Sequence, residues 1–215
     1  MKYTTAVIFD MDGTLLNTLC DLADATNYAL EECGFPTRTD NEVRNFIGNG
    51  VEMLIRRAVP KDTPEDKIQE CLGIFKIYYT HNSHNKTKPY DGIIELLTNL
   101  KRKGFKLGVV SNKFDRAVKK LCDEYFCGLI DIATGESETT PKKPDPTGVL
   151  KTIEELGAKP EQTVLVGDSD VDIETAKNAG ISSIGVLWGY RDEKVLTDAG
   201  ADELVDSPQK LEFIL

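Results

Sequence analysis

Short, β-branched apolar runs separated by stretches whose apolar residues recur three and four apart set the rhythm of this chain. The runs at 6–9, 106–110, 129–133, 163–166 and 183–187 predict strands, with a weaker one at 203–205. Between them, Ile93, Ile94, Leu96, Leu97 and Leu100 predict a helix opened by Asp91 as N-cap and closed by Gly104. Similar patterns predict helices at 116–125, 146–156 and 171–179, the last closed by Gly180. Strand alternating with helix implies an α/β fold: a Rossmann-like parallel sheet core with helices on both faces.

One stretch breaks the rhythm. Residues 17–85 carry no strand pattern, only helical spacing at about 20–33, 41–46, 51–59 and 64–80. This predicts an inserted all-α cap over 17–85, with a catalytic core formed by 1–16 and 86–215. The chain would enter the cap near Asn17 and leave it at Thr87-Lys88-Pro89.

Composition narrows the partners. The 215 residues carry 26 Lys and Arg against 36 Asp and Glu, a net charge of −10, which argues against nucleic acid and against an anionic membrane surface. The same charge repels phosphorylated molecules, so any phosphate site here needs a local cation. Cys20, Cys33, Cys71, Cys122 and Cys127 are odd in number and form no C-x-x-C pair. With no signal-peptide pattern and no apolar run long enough to span a membrane, they imply a reduced, cytoplasmic setting.

Reactive side chains collect where the predicted strands end, which is where open α/β sheets bind ligands. The first strand runs into Asp10-Met11-Asp12-Gly13-Thr14 and the second into Ser111-Asn112-Lys113. The 163–166 strand runs into Gly167-Asp168-Ser169-Asp170-Val171-Asp172, and ahead of it lies Pro141-Lys142-Lys143-Pro144-Asp145-Pro146. Asp10 and Asp12 are two apart, so an extended backbone would aim both carboxylates the same way, with Gly13 turning the chain aside. An Asp-Gly turn and a solvated helix N-terminus are the plain readings of the two acidic clusters. A calcium loop fails by register, because Ile173 stands where Gly is required and Ala179 where the bidentate Glu belongs. No nucleophile elbow or Walker A loop is present, and His81 and His84 read as loop residues, not zinc ligands.

The set DMDGT, VVSNK, KKPDP and GDSDVD, in that order, resembles the haloacid dehalogenase superfamily of phosphatases with a helical cap. Within it, DLADATNYAL, IGNG and WGYR look most like the phosphoglycolate phosphatases. The region after the first motif lacks the His expected of β-phosphoglucomutases.

The resemblance implies a role for each matching residue. Asp10 would be the nucleophile that forms an aspartyl phosphate, and Asp12 would protonate the leaving group and then activate water. Asp10, the Asp12 backbone carbonyl and Asp168 would hold Mg2+, with Asp172 orienting groups around them. Ser111, with Asn112 beside it among the substrate-binding residues, would donate a hydrogen bond to the phosphoryl oxygens. Lys143, matched to the Lys of K-P-x-P, would neutralise their charge, with Lys142 as the surface alternative. Gly48, Asn49 and Gly50 with Arg57 would form the substrate-reading part of the cap, on a helix whose buried stripe is Val51, Leu54, Ile55 and Ala58. Asn17 stands where many relatives carry Asp.

The implied activity is Mg2+-dependent hydrolysis of a small phosphorylated metabolite, with 2-phosphoglycolate leading and a sugar phosphate or inorganic pyrophosphate as rivals. An aspartate-phosphorylated signalling receiver shares the sheet and the acids. It has neither an acid two residues past the phosphorylated Asp nor a seventy-residue cap. The expected assembly is a monomer or homodimer.

Overall fold

The computed structural model describes residues 4–215. In chain order the elements are β1 (Ala6–Phe9), β2 (Leu16–Asn17), α1 (Leu19–Glu32), α2 (Asp40–Phe46), α3 (Val51–Ala58), α4 (Glu65–Asn82) and β3 (Lys88–Pro89). Then follow α5 (Ile93–Arg102), β4 (Lys106–Phe114), α6 (Asp115–Phe126), β5 (Ile132–Glu136), α7 (Thr147–Glu155) and β6 (Thr163–Gly167). The chain ends with α8 (Asp170–Ala179), β7 (Ser182–Val186), α9 (Glu193–Ala199), β8 (Glu203–Val205) and α10 (Pro208–Ile214). It divides into two compact units, one of them Asn17–Lys88 and the other Pro89–Leu215 together with the segment ending at Leu16. The two crossings between units, β2 and β3, pair as a short ribbon.

The larger unit is a six-stranded sheet in the order β5-β4-β1-β6-β7-β8, with every pairing parallel. Parallel strands need both faces covered, and β1 shows why its residues suit that place. Val7 and Phe9 point into one apolar cluster, Ala6 and Ile8 into the other, and all four are fully buried. From β1 the connections step to β4 and β5 on one side and then return to β6 on the other. The carboxyl end of β1 is therefore the switch point of the sheet, where such folds bind ligands.

Several boundaries differ from the sequence reading, each for a local reason. The second strand continues past Val110 to Phe114, where β4 pairs with β5 again, Phe114 opposite Glu136, after an irregularity in register between Val110 and Phe114. The fifth strand starts at Ile132, not 129; Leu129 and Ile130 pack against the core from the loop ahead of it. Helix α5 is capped by Gly92 in the left-handed region, not by Asp91. Two short C-terminal helices, α9 and α10, were not expected. Each follows a side chain suited to an N-cap, Asp192 and Ser207.

The smaller unit is helical. Tyr28 of α1 stacks on Tyr78 of α4 at 4.3 Å, and Leu54, Ile55 and Ala58 of α3 are buried. Val51, expected in that stripe, is only half-buried, and His81 lies in the last turn of α4, not in a loop. The Asp21 carboxylate, 2% exposed, accepts the backbone N–H groups of Lys86 at 3.0 Å and Thr87 at 2.8 Å. It ties the start of the unit to its end. No helix among the described residues is long and apolar enough to cross a membrane.

Candidate active site

The site grows out of the end of β1. The Asp10 amide still donates to Val166 O at 2.8 Å, and the chain then folds sharply so that the Leu15 and Leu16 amides both reach Met11 O. Gly13 permits that fold at φ +90°, and a Cβ there would sit 2.4 Å from an Asp168 carboxylate oxygen. The turn thus sets Asp10 inward, 8% exposed, beside the end of β6.

Lys143 is the hub. Its ammonium lies 2.7 Å from Asp10 Oδ1 and 2.6 Å from Asp172 Oδ1, and the residue is 6% exposed. Lys142 points elsewhere, to Glu136 at 3.3 Å, so the proline-rich loop delivers its second lysine to the carboxylates. The loop is held by Asn112. Its Oδ1 accepts the Lys143 amide at 2.6 Å and its Nδ2 donates to the Lys143 carbonyl at 3.1 Å. Asn112, expected among the substrate-binding residues, thus sets the position of Lys143.

Asp168, 2% exposed, accepts the Thr14 hydroxyl at 3.1 Å and the Tyr190 amide at 2.7 Å. Thr14 is itself placed by Trp188, whose Nε1 donates to its carbonyl at 3.0 Å. Asp172 turns its other oxygen to Ser169, accepting the amide at 3.1 Å and the hydroxyl at 2.6 Å. Asp170 lies outside the cluster, 3.7 Å from Arg191 Nε and largely exposed. Ser111 is buried in β4, its Oγ accepting the Lys113 amide at 3.4 Å.

Asp12 stands apart from the other acids. Its Oδ2 lies 3.1 Å from Lys113 Nζ, while its Oδ1 is buried without a hydrogen-bond partner. The two carboxylates of the first motif therefore meet different lysines.

Electrostatics makes the cluster costly by itself. Burial raises the Asp10 carboxyl to about 8; Lys143 opposes this, and Asp172 and Asp168 add to it. Asp168 rises to about 7, again chiefly by burial and then by Asp172, against the Tyr190 amide and Thr14 hydroxyl. Burial pulls Lys143 down, but Asp10 and Asp172 outweigh it and hold its pKa above the ordinary value. Oxygens of Asp10, Asp168 and Asp172 lie within 4.8 Å of one another. When all three are ionised, the one ammonium of Lys143 leaves two negative charges in excess. A hard divalent cation fits that donor set and that imbalance. Asp172 is set apart by its direct pairing of one oxygen with the Lys143 ammonium and the other with Ser169, whereas both Asp168 oxygens accept only neutral donors, from Thr14 and Tyr190.

The other expected residues lie in the helical unit. Gly48 and Gly50 both adopt positive φ, and Gly50 caps α3. Arg57 donates to Phe46 O at 2.8 Å and to Asn49 Oδ1 at 2.7 Å, so it braces this loop from the exposed side of α3. The sequence reading missed Lys113, Thr14 and Tyr190 as members of the site. Lys113 and Thr14 lie inside the quoted motifs; Tyr190 contributes through its backbone, for which residue type carries no signal.

The model of the haloacid dehalogenase-like hydrolases matches residues 7–186. A phosphoglycolate phosphatase from Aquifex aeolicus is 41% identical over 186 residues, covering 86% of this chain and 85% of its own. A crystal structure of a Lactobacillus delbrueckii subsp. bulgaricus protein is 37% identical with a TM-score of 0.95, over 100% of this chain and 98% of that one. A predicted phosphoglycolate phosphatase from Haemophilus somnus is 31% identical with a TM-score of 0.91, over 100% and 99% of the two chains.

Proposed function

This chain belongs to the haloacid dehalogenase-like hydrolase family, and from that premise we propose that it hydrolyses phosphomonoesters through an aspartyl phosphate on Asp10, with Mg2+ as cofactor and 2-phosphoglycolate as substrate. The observation that carries the reading is the buried Asp10–Lys143–Asp172 chain beside Asp168 at the switch point of the sheet.

Asp10 attacks phosphorus, and its carboxylate forms the new bond as the bond to the leaving oxygen breaks. Lys143 neutralises charge gathering on the phosphoryl oxygens, and the Ser111 hydroxyl donates to them. Asp12 supplies a proton to the departing alkoxide and then takes one from the water that cleaves the intermediate. Asp10, Asp168 and the Asp12 backbone carbonyl would hold Mg2+, which supplies Lewis-acid stabilisation of charge at phosphorus. The buried donors and the water-poor surroundings give these charges more leverage than they would have in solvent.

The core residues address only the phosphoryl group, so the organic part of the substrate is read by the helical unit. The relatives named phosphoglycolate phosphatase support a small carboxylated phosphate. So does the basic Arg57 beside the Gly48-Asn49-Gly50 loop.

Asp10→Asn tests the chemistry. The amide keeps the shape but is a poor nucleophile, so turnover should fall at least about a hundredfold, or ~2.7 kcal/mol of barrier, while circular dichroism shows an intact fold. A screen of phosphorylated metabolites tests the substrate. A ranking with 2-phosphoglycolate below hexose phosphates or pyrophosphate overturns that assignment and leaves the phosphatase reading standing.

A further inference from the structure

Lys113 is a buried cation to which the chemistry above gives no task. It is 6% exposed, sits in β4 two residues past Ser111, and brings its Nζ to 3.1 Å from Asp12 Oδ2. Burying an ammonium is costly unless it is paired, so this contact fixes both partners. The Asp12 carboxylate is thereby made unequal: Oδ2 is occupied, and Oδ1 is buried with no hydrogen-bond partner. A buried polar atom left unpaired in this way calls for a missing partner.

Resting on the phosphatase reading, we infer that Lys113 is the positioning residue of Asp12, and that Oδ1 is the oxygen through which Asp12 exchanges protons with the leaving group and water. In the first step the Oδ1–H proton passes to the leaving oxygen as its bond to phosphorus breaks and the Asp10 oxygen–phosphorus bond forms. In the second, Oδ1 takes a proton from water as the water oxygen bonds to phosphorus. The Asp10 oxygen departs as carboxylate, and hydrogen phosphate is released. Lys113 stays charged and touches neither reacting atom. It holds the carboxylate in one rotamer through its contact with Oδ2.

A positioning role leaves a signature that a merely structural one does not. Proton donation matters for a poor leaving group and little for a good one. In Lys113→Met, kcat/KM for 2-phosphoglycolate, which reports the first step, should fall about tenfold or more, while kcat/KM for p-nitrophenyl phosphate falls less than about threefold. Lys113→Arg, which keeps the cation, should recover most of the loss. The double variant Lys113→Met/Asp12→Asn should be no slower than Asp12→Asn alone, because the two residues act as a unit. Equal losses of kcat/KM on both substrates, or additive losses in the double variant, would overturn the inference. Should Lys113→Met fail to fold by its thermal melt, Lys113→Gln is read by the same criteria. Asp10→Asn separates the two levels. If it stays active, the reading of the site fails and the role of Lys113 fails with it. If it is dead while Lys113→Met lowers kcat/KM alike for both substrates, only the role of Lys113 is lost.

Discussion

Each unit of this molecule contains a cation gripped by two carboxylates at nearly the same distances. In the core, Lys143 lies 2.7 Å from Asp10 and 2.6 Å from Asp172, with side chains 4%, 11% and 1% exposed. In the helical unit, Arg56 lies 2.9 Å from Glu52 and 2.6 Å from Glu65, with side chains 30%, 43% and 61% exposed. Distance does not distinguish the two, but solvent does. Water screens the arginine fork and already satisfies its partners when it opens, whereas the lysine cluster has no such alternative. The core arrangement therefore holds its charges out of water; the helical one trims a surface.

The sharpest way to break this contrast is to remove the two cations in turn. Lys143→Met leaves buried carboxylates without their cation, and breaking a buried pair in this manner costs about 3–5 kcal/mol. Denaturant unfolding of the metal-free protein should show a loss of that order. A change below about 1 kcal/mol would mean that the carboxyls simply take up protons and that the cluster is no more demanding than a surface pair.

Proton linkage sharpens the same point. Asp10 and Asp168 are raised in the folded protein to about 8 and about 7, from an ordinary value of 3.8. The folded state therefore binds protons more tightly than the unfolded chain. The stability they contribute is full below about pH 4 and is lost as pH rises through 7 to 8. A divalent cation competes with those protons. Millimolar Mg2+ should accordingly raise the melting temperature more at about pH 8.5 than at about pH 5.5. The gain should shrink in Asp168→Ala, and EDTA should abolish turnover. A Mg2+ shift that is equal at both pH values would show that these carboxyls do not hold the metal.

The same division by solvent explains what was legible in the chain. Ala6–Phe9 matches its strand residue for residue, since a parallel strand buried on both faces reads as an unbroken apolar run, and the part-exposed edge strand Glu203–Val205 matches as well. The polar Ser111-Asn112-Lys113 ended the apolar signal, yet the strand carries on through them and pairs again at Phe114, after a shift of register. The pairing of Lys113 with Asp12 was hidden with it, because it depends on the strand carrying on to Phe114. Asp10, Ser111, Lys143 and Asp168 were readable from residue type and strand-end position. Which oxygen meets which nitrogen was not, because that follows from the turn at Met11 and the clamp of Asn112 on the lysine loop. In the helical unit, residue type alone did not separate Arg56 from Arg57. One is spent on Glu52 and Glu65, the other on a loop carbonyl and an amide.

Arg57 is where the helical unit is expected to matter for chemistry. Two of its five guanidinium donors brace Phe46 O and Asn49, leaving others for an anion. Because the side chain is exposed, a contact at the low end of the charge-assisted range applies, about 1.5 kcal/mol. Arg57→Ala should then raise KM for 2-phosphoglycolate about tenfold and leave KM for p-nitrophenyl phosphate nearly unchanged. Equal effects on the two substrates would remove Arg57 from substrate reading and leave it as a brace of the glycine loop.

The smallest effect belongs to the arginine fork itself. Hydrogen bonds from Arg56, and then from Gln69, hold the Glu65 carboxyl down to about 2 from an ordinary 4.5. Its share of stability is therefore present above about pH 4.5 and lost as pH falls through about 2. Both carboxylates remain open to water, so that share is screened and is offset by the entropy of pinning three long side chains. Arg56→Met should shift the melting temperature only slightly at neutral pH in low salt, and the shift should vanish in about 1 M salt, where the Debye length shrinks to ~3 Å. Lys143→Met, buried and beyond the reach of counterions, should lose its stability undiminished in the same salt. A large, salt-insensitive loss in Arg56→Met would place the fork in the same class as the lysine cluster, and exposure would no longer be what separates them.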